Sequence, residues 1–127
     1  FYCRLVCKNI IFIPGNHDKH IIMDKYLPNA PEGTRASDLF DMKPNIYVFE
    51  YAGHKIVVSH FPLDEWEDIH KGSIHFHGHT HGNLDESELN TKYRRKDVYW
   101  TKEKGIYLLD DLIIEMEGRE RKKYSWE

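Results

Sequence analysis

Three short blocks concentrate the side chains able to do chemistry: Gly15-Asn16-His17-Asp18, Ser59-His60-Phe61-Pro62 and His77-Gly78-His79-Thr80-His81. Each sets imidazole nitrogens or an amide oxygen beside a glycine or proline, in what reads as a strand-to-loop turn where side chains converge on a cation. The chemistry this implies is metal-assisted reaction at phosphate. In an extended segment, residues two apart project to one side, so His79 and His81 are expected to direct two imidazoles at one metal cluster. A satisfied loop histidine is the plain alternative for either ring. Ser-His-x-Pro around His60 is by itself also readable as a strand exit with a proline turn. Asn16 offers an amide oxygen, a less common ligand for transition metals. His17 is assigned differently: an imidazole titrating near neutrality is suited to protonate a leaving alkoxide as general acid, with Asp18 orienting it. Helix N-capping is a second, compatible role for Asp18. His75 and His77 extend the alternation but lie inside the strand before Gly78, so both are read as satisfied core residues, His77 as the better support for a ligand.

These blocks need elements to hold them. Ile10-Ile11-Phe12-Ile13, stopped by Pro14-Gly15, has the composition of a buried strand. Phe1 to Lys8 reads as the end of a helix, with Cys3 and Cys7 one turn apart on one face, and Asp18 to Tyr26 as a short helix. Pro28 to Pro44 reads as a loop with a helical turn near Ser37 to Met42. Ile46 to Tyr51 and Lys55 to Ser59 form a hairpin about Ala52-Gly53-His54, whose second strand delivers His60. Leu63 to His70 is expected to be a short acidic helix. Ser73 to His77 is expected to be a strand delivering His79 and His81. Gly82 to Lys96 reads as loop, Asp97 to Trp100 and Ile106 to Leu108 as short strands, and Asp110 to Lys123 as an amphipathic helix with Leu112, Ile113 and Met116 inward. Strand ends are where open α/β sheets collect ligands.

In order and composition the blocks resemble the later motifs of the calcineurin-like metallophosphoesterase superfamily, whose pattern runs Asp-x-His, Gly-Asp, Gly-Asn-His-Asp/Glu, His, Gly-His-x-His. The resemblance implies an α/β sandwich of two sheets flanked by helices. It also implies hydrolysis of a phosphomonoester or phosphodiester by a hydroxide bridging two divalent metals (Mn, Fe, Zn, Co or Ni), with no covalent enzyme intermediate. It assigns Asn16, His60 and His79 to the second metal and His81 to the first. No Gly-Asp dipeptide occurs, and the Asp-x-His strings Asp18-Lys19-His20 and Asp68-Ile69-His70 do not follow an apolar strand. Residues 1–127 therefore read as a partial domain of this type, the C-terminal portion of a longer protein, lacking its N-terminal strand and helix. Without the negatively charged bridging ligand two dications repel, so these residues alone are expected to bind at most one metal, weakly, and to turn over little or no substrate. The competing reading is a degenerate scaffold of the same fold, acting as a non-catalytic protein-interaction module. A histidine tract that only binds metal does not account for Gly-Asn-His-Asp.

Composition bounds the rest. The 127 residues carry 18 basic and 21 acidic side chains, a net charge of -3, so nothing global draws the chain to nucleic acid, and phosphate affinity must be local. No apolar run approaches the ~20 residues that span a bilayer. Two cysteines read as reduced, small hydrophobes and suit a cytoplasmic protein. The expected partner is a small phosphate ester or nucleotide. Lys92 to Lys96 and Arg119 to Lys123 read as a solvated loop and a solvated helix end, Asp64 to Asp68 as an exposed acidic helical face, and His20, His54 and His70 as surface residues. An uncovered sheet edge predicts self-association.

Overall fold

A computed structural model describes residues 9–18 and 33–127. The helix readings at Phe1 to Lys8 and beyond Asp18, together with Cys3, Cys7 and His20, lie outside the described residues. Within them the chain is α/β, with one small and one larger sheet.

The small sheet pairs β1 (Ile11–Phe12) in parallel with β2 (Asp41–Met42). A short helix α1 (Ala36–Leu39) precedes β2. The loop expected over Pro28 to Pro44 thus ends in a strand, because the Asp41 and Lys43 amides reach the Ile10 and Phe12 carbonyls at 2.6 and 3.0 Å. Phe40 is buried there against Ile10, Phe12 and Met42.

The larger sheet has the order β3-β4-β5-β6. Its first pair, β3 (Ile46–Tyr51) and β4 (His54–Ser59), is the expected antiparallel hairpin. The turn is Ala52-Gly53, with φ of 51° and 79°, the left-handed pair that a two-residue hairpin loop of matching twist requires. β5 (Ile74–His77) then joins β4 in parallel, and β6 (Arg95–Asp97) joins β5 in parallel. Period-2 alternation sorts β5: Ile74 and Phe76 meet Leu112, Ile113 and Met116 of the helix α3 (Leu109–Glu117), while His75 and His77 face the other side, where Trp66 lies 5.2 Å from His75. Ile56, Ile74 and Met116 are fully buried, each worth ~1.5–3 kcal/mol in apolar transfer. Val57, Trp66 and Ile69 fill the opposite face with Val48, Leu63 and Leu89.

Several expectations are corrected. Leu63 to His70 is a series of turns with a single 3-10 turn at Ile69–Lys71. Asp64, Glu65 and Glu67 are exposed as expected, but not as one face of a helix: Trp66 between them turns inward, donating from Nε1 to the Ser73 carbonyl at 3.4 Å, and Lys55 pairs with Glu67 and Asp68 at 3.1 and 2.6 Å. Gly82 to Lys96 contains a short helix α2 (Glu88–Thr91) and most of β6, which begins at Arg95, two residues before the expected strand. Ile106 to Leu108 forms no strand, and Ile106 and Leu108 are exposed. The final helix stops at Glu117. Beyond Gly118 the chain peels away so that the Glu120 amide reaches the Lys92 carbonyl at 3.0 Å.

The basic clusters are corrected by the same contacts. Arg95 is only 2% exposed, and Arg119 donates from Nη1 to the Tyr93 and Arg95 carbonyls at 3.2 and 2.7 Å. These guanidiniums are used as backbone clips, not as solvated charge. His54 and His70 likewise have partners, Glu117 at 2.9 Å and the Lys122 carbonyl at 2.6 Å. Among the described residues β3 and β6 each pair on one side only, and no helix is long and apolar enough to cross a membrane.

Candidate metal centre

Parallel pairing of β4 with β5 places Ser59 beside His77, so both strands end at one edge of the sheet. The residues that follow, His60 and Gly78, are tied directly: the Gly78 amide donates to the His60 carbonyl at 2.9 Å. The Ser59 hydroxyl donates to the Phe61 carbonyl at 2.5 Å and curls the chain over the strand end. From the other sheet, β1 leads through Pro14 to a reverse turn in which the Asp18 amide meets the Gly15 carbonyl at 3.3 Å and the Asp18 carboxylate accepts the Gly15 amide at 2.7 Å. Gly15 is buried there, and a Cβ on it would lie 2.8 Å from His60 Nδ1. Only glycine lets the two loops approach this closely.

Three atoms able to ligate a cation, from three distant segments, meet as a result. His60 Nε2 lies 2.7 Å from Asn16 Oδ1 and 3.2 Å from His79 Nδ1. Burial first, then the neighbouring His79, holds the His60 imidazole below the usual histidine pKa and so favours the neutral form that binds metals. Phe61, half exposed, packs edge-on to His60 and tilted against His79, with centroids 5.0 and 4.6 Å away. Two imidazole nitrogens and an amide oxygen fit a borderline divalent cation. Among the described residues no three His, Cys, Asp or Glu side chains form such a group, so the amide of Asn16 is what makes this one a triad.

The other expected site residues stand differently. His81 does not join His60: its ring faces Tyr99 at 6.3 Å. The premise that put it beside His79 fails, because His79 and His81 have φ of 65° and 49° and the segment is a left-handed turn, not extended chain. His17 is exposed next to the triad. The Asp18 carboxylate bonds the Gly15 amide and makes no hydrogen bond to the His17 ring, so among the described residues it shapes the loop and does not orient the imidazole. Its helix-capping role falls outside the described residues.

His75 and His77 are core residues, as their strand position implies. His75 Nδ1–H donates to the Val57 carbonyl and Nε2 accepts the Leu63 amide, each at 3.0 Å, a pattern that fixes one neutral tautomer. Burial pushes its pKa down to about 4. Nδ1 of His77 donates to the Gly78 carbonyl at 2.9 Å, and its Nε2 accepts from Asn90 Nδ2 at 3.2 Å. Two residues that matter here escaped the sequence reading. Arg95 donates to the Asn90 side chain through Nε and, through Nη1, to the Leu63 carbonyl and Asp64 at 3.0 Å each. The Leu63 peptide is thereby held at both ends, by His75 and Arg95, three residues after His60. Asp97, 2% exposed, accepts bonds from the loop that carries His79. The available signal was a lone aspartate, poor in strands, at the head of the β-favouring run Val98-Tyr99-Trp100.

Comparison of the chain with protein-family models, with curated proteins and with solved structures returns no match.

Proposed function

We propose that these residues carry the later half of the metal site of a calcineurin-like metallophosphoesterase, a two-sheet α/β sandwich that hydrolyses a phosphate ester in the full-length protein. The observation that carries this reading is the meeting of Asn16 Oδ1, His60 Nε2 and His79 Nδ1 within 2.7 and 3.2 Å, from segments more than forty and nearly twenty residues apart. Such convergence needs three separate loops to be shaped for it, and each loop is shaped by its own hydrogen bonds.

In this reading Asn16, His60 and His79 would hold one divalent cation, and His81 would contribute to a second whose remaining ligands are carboxylates outside these residues. When bound, the two cations supply an activated water and neutralise charge developing on the phosphoryl oxygens. His17, exposed beside the triad, delivers a proton to the departing oxygen. Asp18 keeps the Gly15-Asn16 turn closed, so Asn16 faces His60. A small phosphate ester or nucleotide is the substrate class.

The test is hydrolysis of an activated aryl phosphodiester with Mn²⁺, comparing residues 1–127 with the full-length parent, each with an EDTA control and a His17→Ala variant. Turnover by the parent that both controls abolish, with little from residues 1–127, is expected. A parent inert with Mn²⁺, Fe²⁺, Zn²⁺, Co²⁺ and Ni²⁺ sinks the enzymatic reading and leaves the interaction scaffold.

A further inference from the structure

The geometry points to Asp97 as the positioning residue of this centre: its buried carboxylate holds the strained Gly78-to-Gly82 loop in the shape that presents His79 to His60. The assignment rests on the metal-site reading above.

The loop is strained in a specific way. The Thr80 amide donates to the Gly78 carbonyl at 2.7 Å, which makes a three-residue γ-turn centred on His79, whose φ is 65°. A γ-turn with its central residue at positive φ is rare and costly. His81 and Gly82 follow at φ of 49° and 86°. Two non-glycine residues at positive φ are disfavoured and persist only where the surroundings over-determine them. His79 and His81 are exposed, and their ring contacts with Phe61 and Tyr99 touch the side chains and leave the backbone dihedrals free.

Asp97 supplies the constraint. It ends β6 in register with His77, and the Val98 amide reaches the His77 carbonyl at 2.9 Å, so its backbone is fixed to the strand from which the loop departs. Its Oδ2 accepts the Thr80 hydroxyl at 2.6 Å and the Gly82 amide at 2.9 Å, while Oδ1 accepts the Tyr99 amide at 3.1 Å. The bonds to Thr80 and Gly82 bracket His81, and Thr80 directly follows His79. A carboxylate 2% exposed with three donors is a rigid anchor. Remove it, and the backbone at His79 relaxes toward ordinary dihedrals and takes Nδ1 away from His60.

Residues 1–127 provide the test, with Thr80→Val, Thr80→Ser and Asp97→Asn. Thr80→Val deletes one bond to Asp97 without touching a ligand, Thr80→Ser restores it, and Asp97→Asn keeps the volume while removing acceptor capacity. Without metal, amide exchange of Gly82 and the nuclear Overhauser contact between the His60 and His79 rings are read by NMR. With metal, Co²⁺ affinity and its visible spectrum are read. Thr80→Val is expected to speed Gly82 exchange, weaken the ring contact and lower Co²⁺ affinity about tenfold, as loss of a ligand-orienting bond does. Thr80→Ser should return all three, and Asp97→Asn should repeat the valine result or exceed it. If Thr80→Val and Asp97→Asn keep the wild-type ring contact and Gly82 protection, the assignment is overturned, even if Asp97→Asn lowers the melting temperature. Wild-type chain that binds no Co²⁺, together with a full-length parent inert with every metal named above, would overturn the metal-site reading instead, and the metal-free NMR measurements still decide the role of Asp97.

Discussion

His75 and His77 belong to the same alternating run as His79 and His81, yet the two pairs do opposite work. The first pair sits on a strand with every ring nitrogen spent on the fold: His75 bridges the Val57 carbonyl and the Leu63 amide, and His77 bridges the Gly78 carbonyl and Asn90. The second pair stands on a left-handed turn with exposed rings, and His79 turns its Nδ1 toward His60, whose Nε2 also meets Asn16. Residue type and spacing are identical. Backbone conformation, switched at Gly78 where the strand ends, decides whether an imidazole is structural or available. The buried pair is also not idle, because His75 fixes the peptide three residues past His60 and so supports the exposed one.

The largest expected effect breaks this contrast directly. His75→Ala leaves the Val57 carbonyl and Leu63 amide without partners inside the sheet face and opens a cavity against Trp66, for a loss of ~3 kcal/mol in unfolding free energy by urea denaturation. His79→Ala, an exposed truncation, should change stability by less than ~0.5 kcal/mol. Equal losses from the two substitutions would remove the distinction between the pairs.

Acid should act on the buried pair next. His75 is held at about 4 in the folded chain, by burial above all, with the charges of His77 and Arg95 acting in the same direction against a bond to Val57 that raises it. Its reference value is 6.5, so between 6.5 and 4 the unfolded chain takes up a proton that the folded chain refuses. The contribution is fully present above pH 6.5 and is lost as pH falls toward 4, by ~3 kcal/mol over the interval. Urea midpoints of the wild type and His75→Gln, taken across that range, should converge as pH falls. Parallel curves would mean that His75 does not carry the acid sensitivity.

How far the sequence discloses this arrangement follows from the same contrast. The hairpin, β5 and the inward face of the last helix were legible because period-2 and 3.6-residue patterns are local, and the strand-end placement of His60 and Gly78 followed from them. Asn16, His60 and His79 come together as their motifs suggested. The geometry linking His81 to His79 was misread because an extended segment was assumed where the chain turns left-handed, a conformation that histidine does not advertise. Arg95 and Asp97 were hidden for a different reason: charged residues read as solvent-facing unless their partners are known, and Leu63, Asn90, Thr80 and Gly82 are remote or unremarkable in sequence. The acidic Leu63 to His70 segment failed as a helix because long-range ties to Lys55, Ser73 and Arg95 outweigh its weak helical pattern.

The smallest expected effect sharpens the comparison most, because it separates stability from site geometry in a single residue. His79 pays for its orientation with a φ of 65°, which asparagine tolerates better, since its short side chain bonds the local backbone in the left-handed region. His79→Asn should therefore raise the unfolding free energy by ~0.5 kcal/mol while Co²⁺ affinity falls, the imidazole facing His60 having been removed. The same exchange at His77, a strand residue whose two nitrogens hold Gly78 and Asn90, should only destabilise. Opposite signs at positions two residues apart would show strain retained for orientation at one and satisfied packing at the other. A loss of stability at His79 as well would mean that the left-handed turn is not strained, and the contrast between the two pairs would reduce to exposure alone.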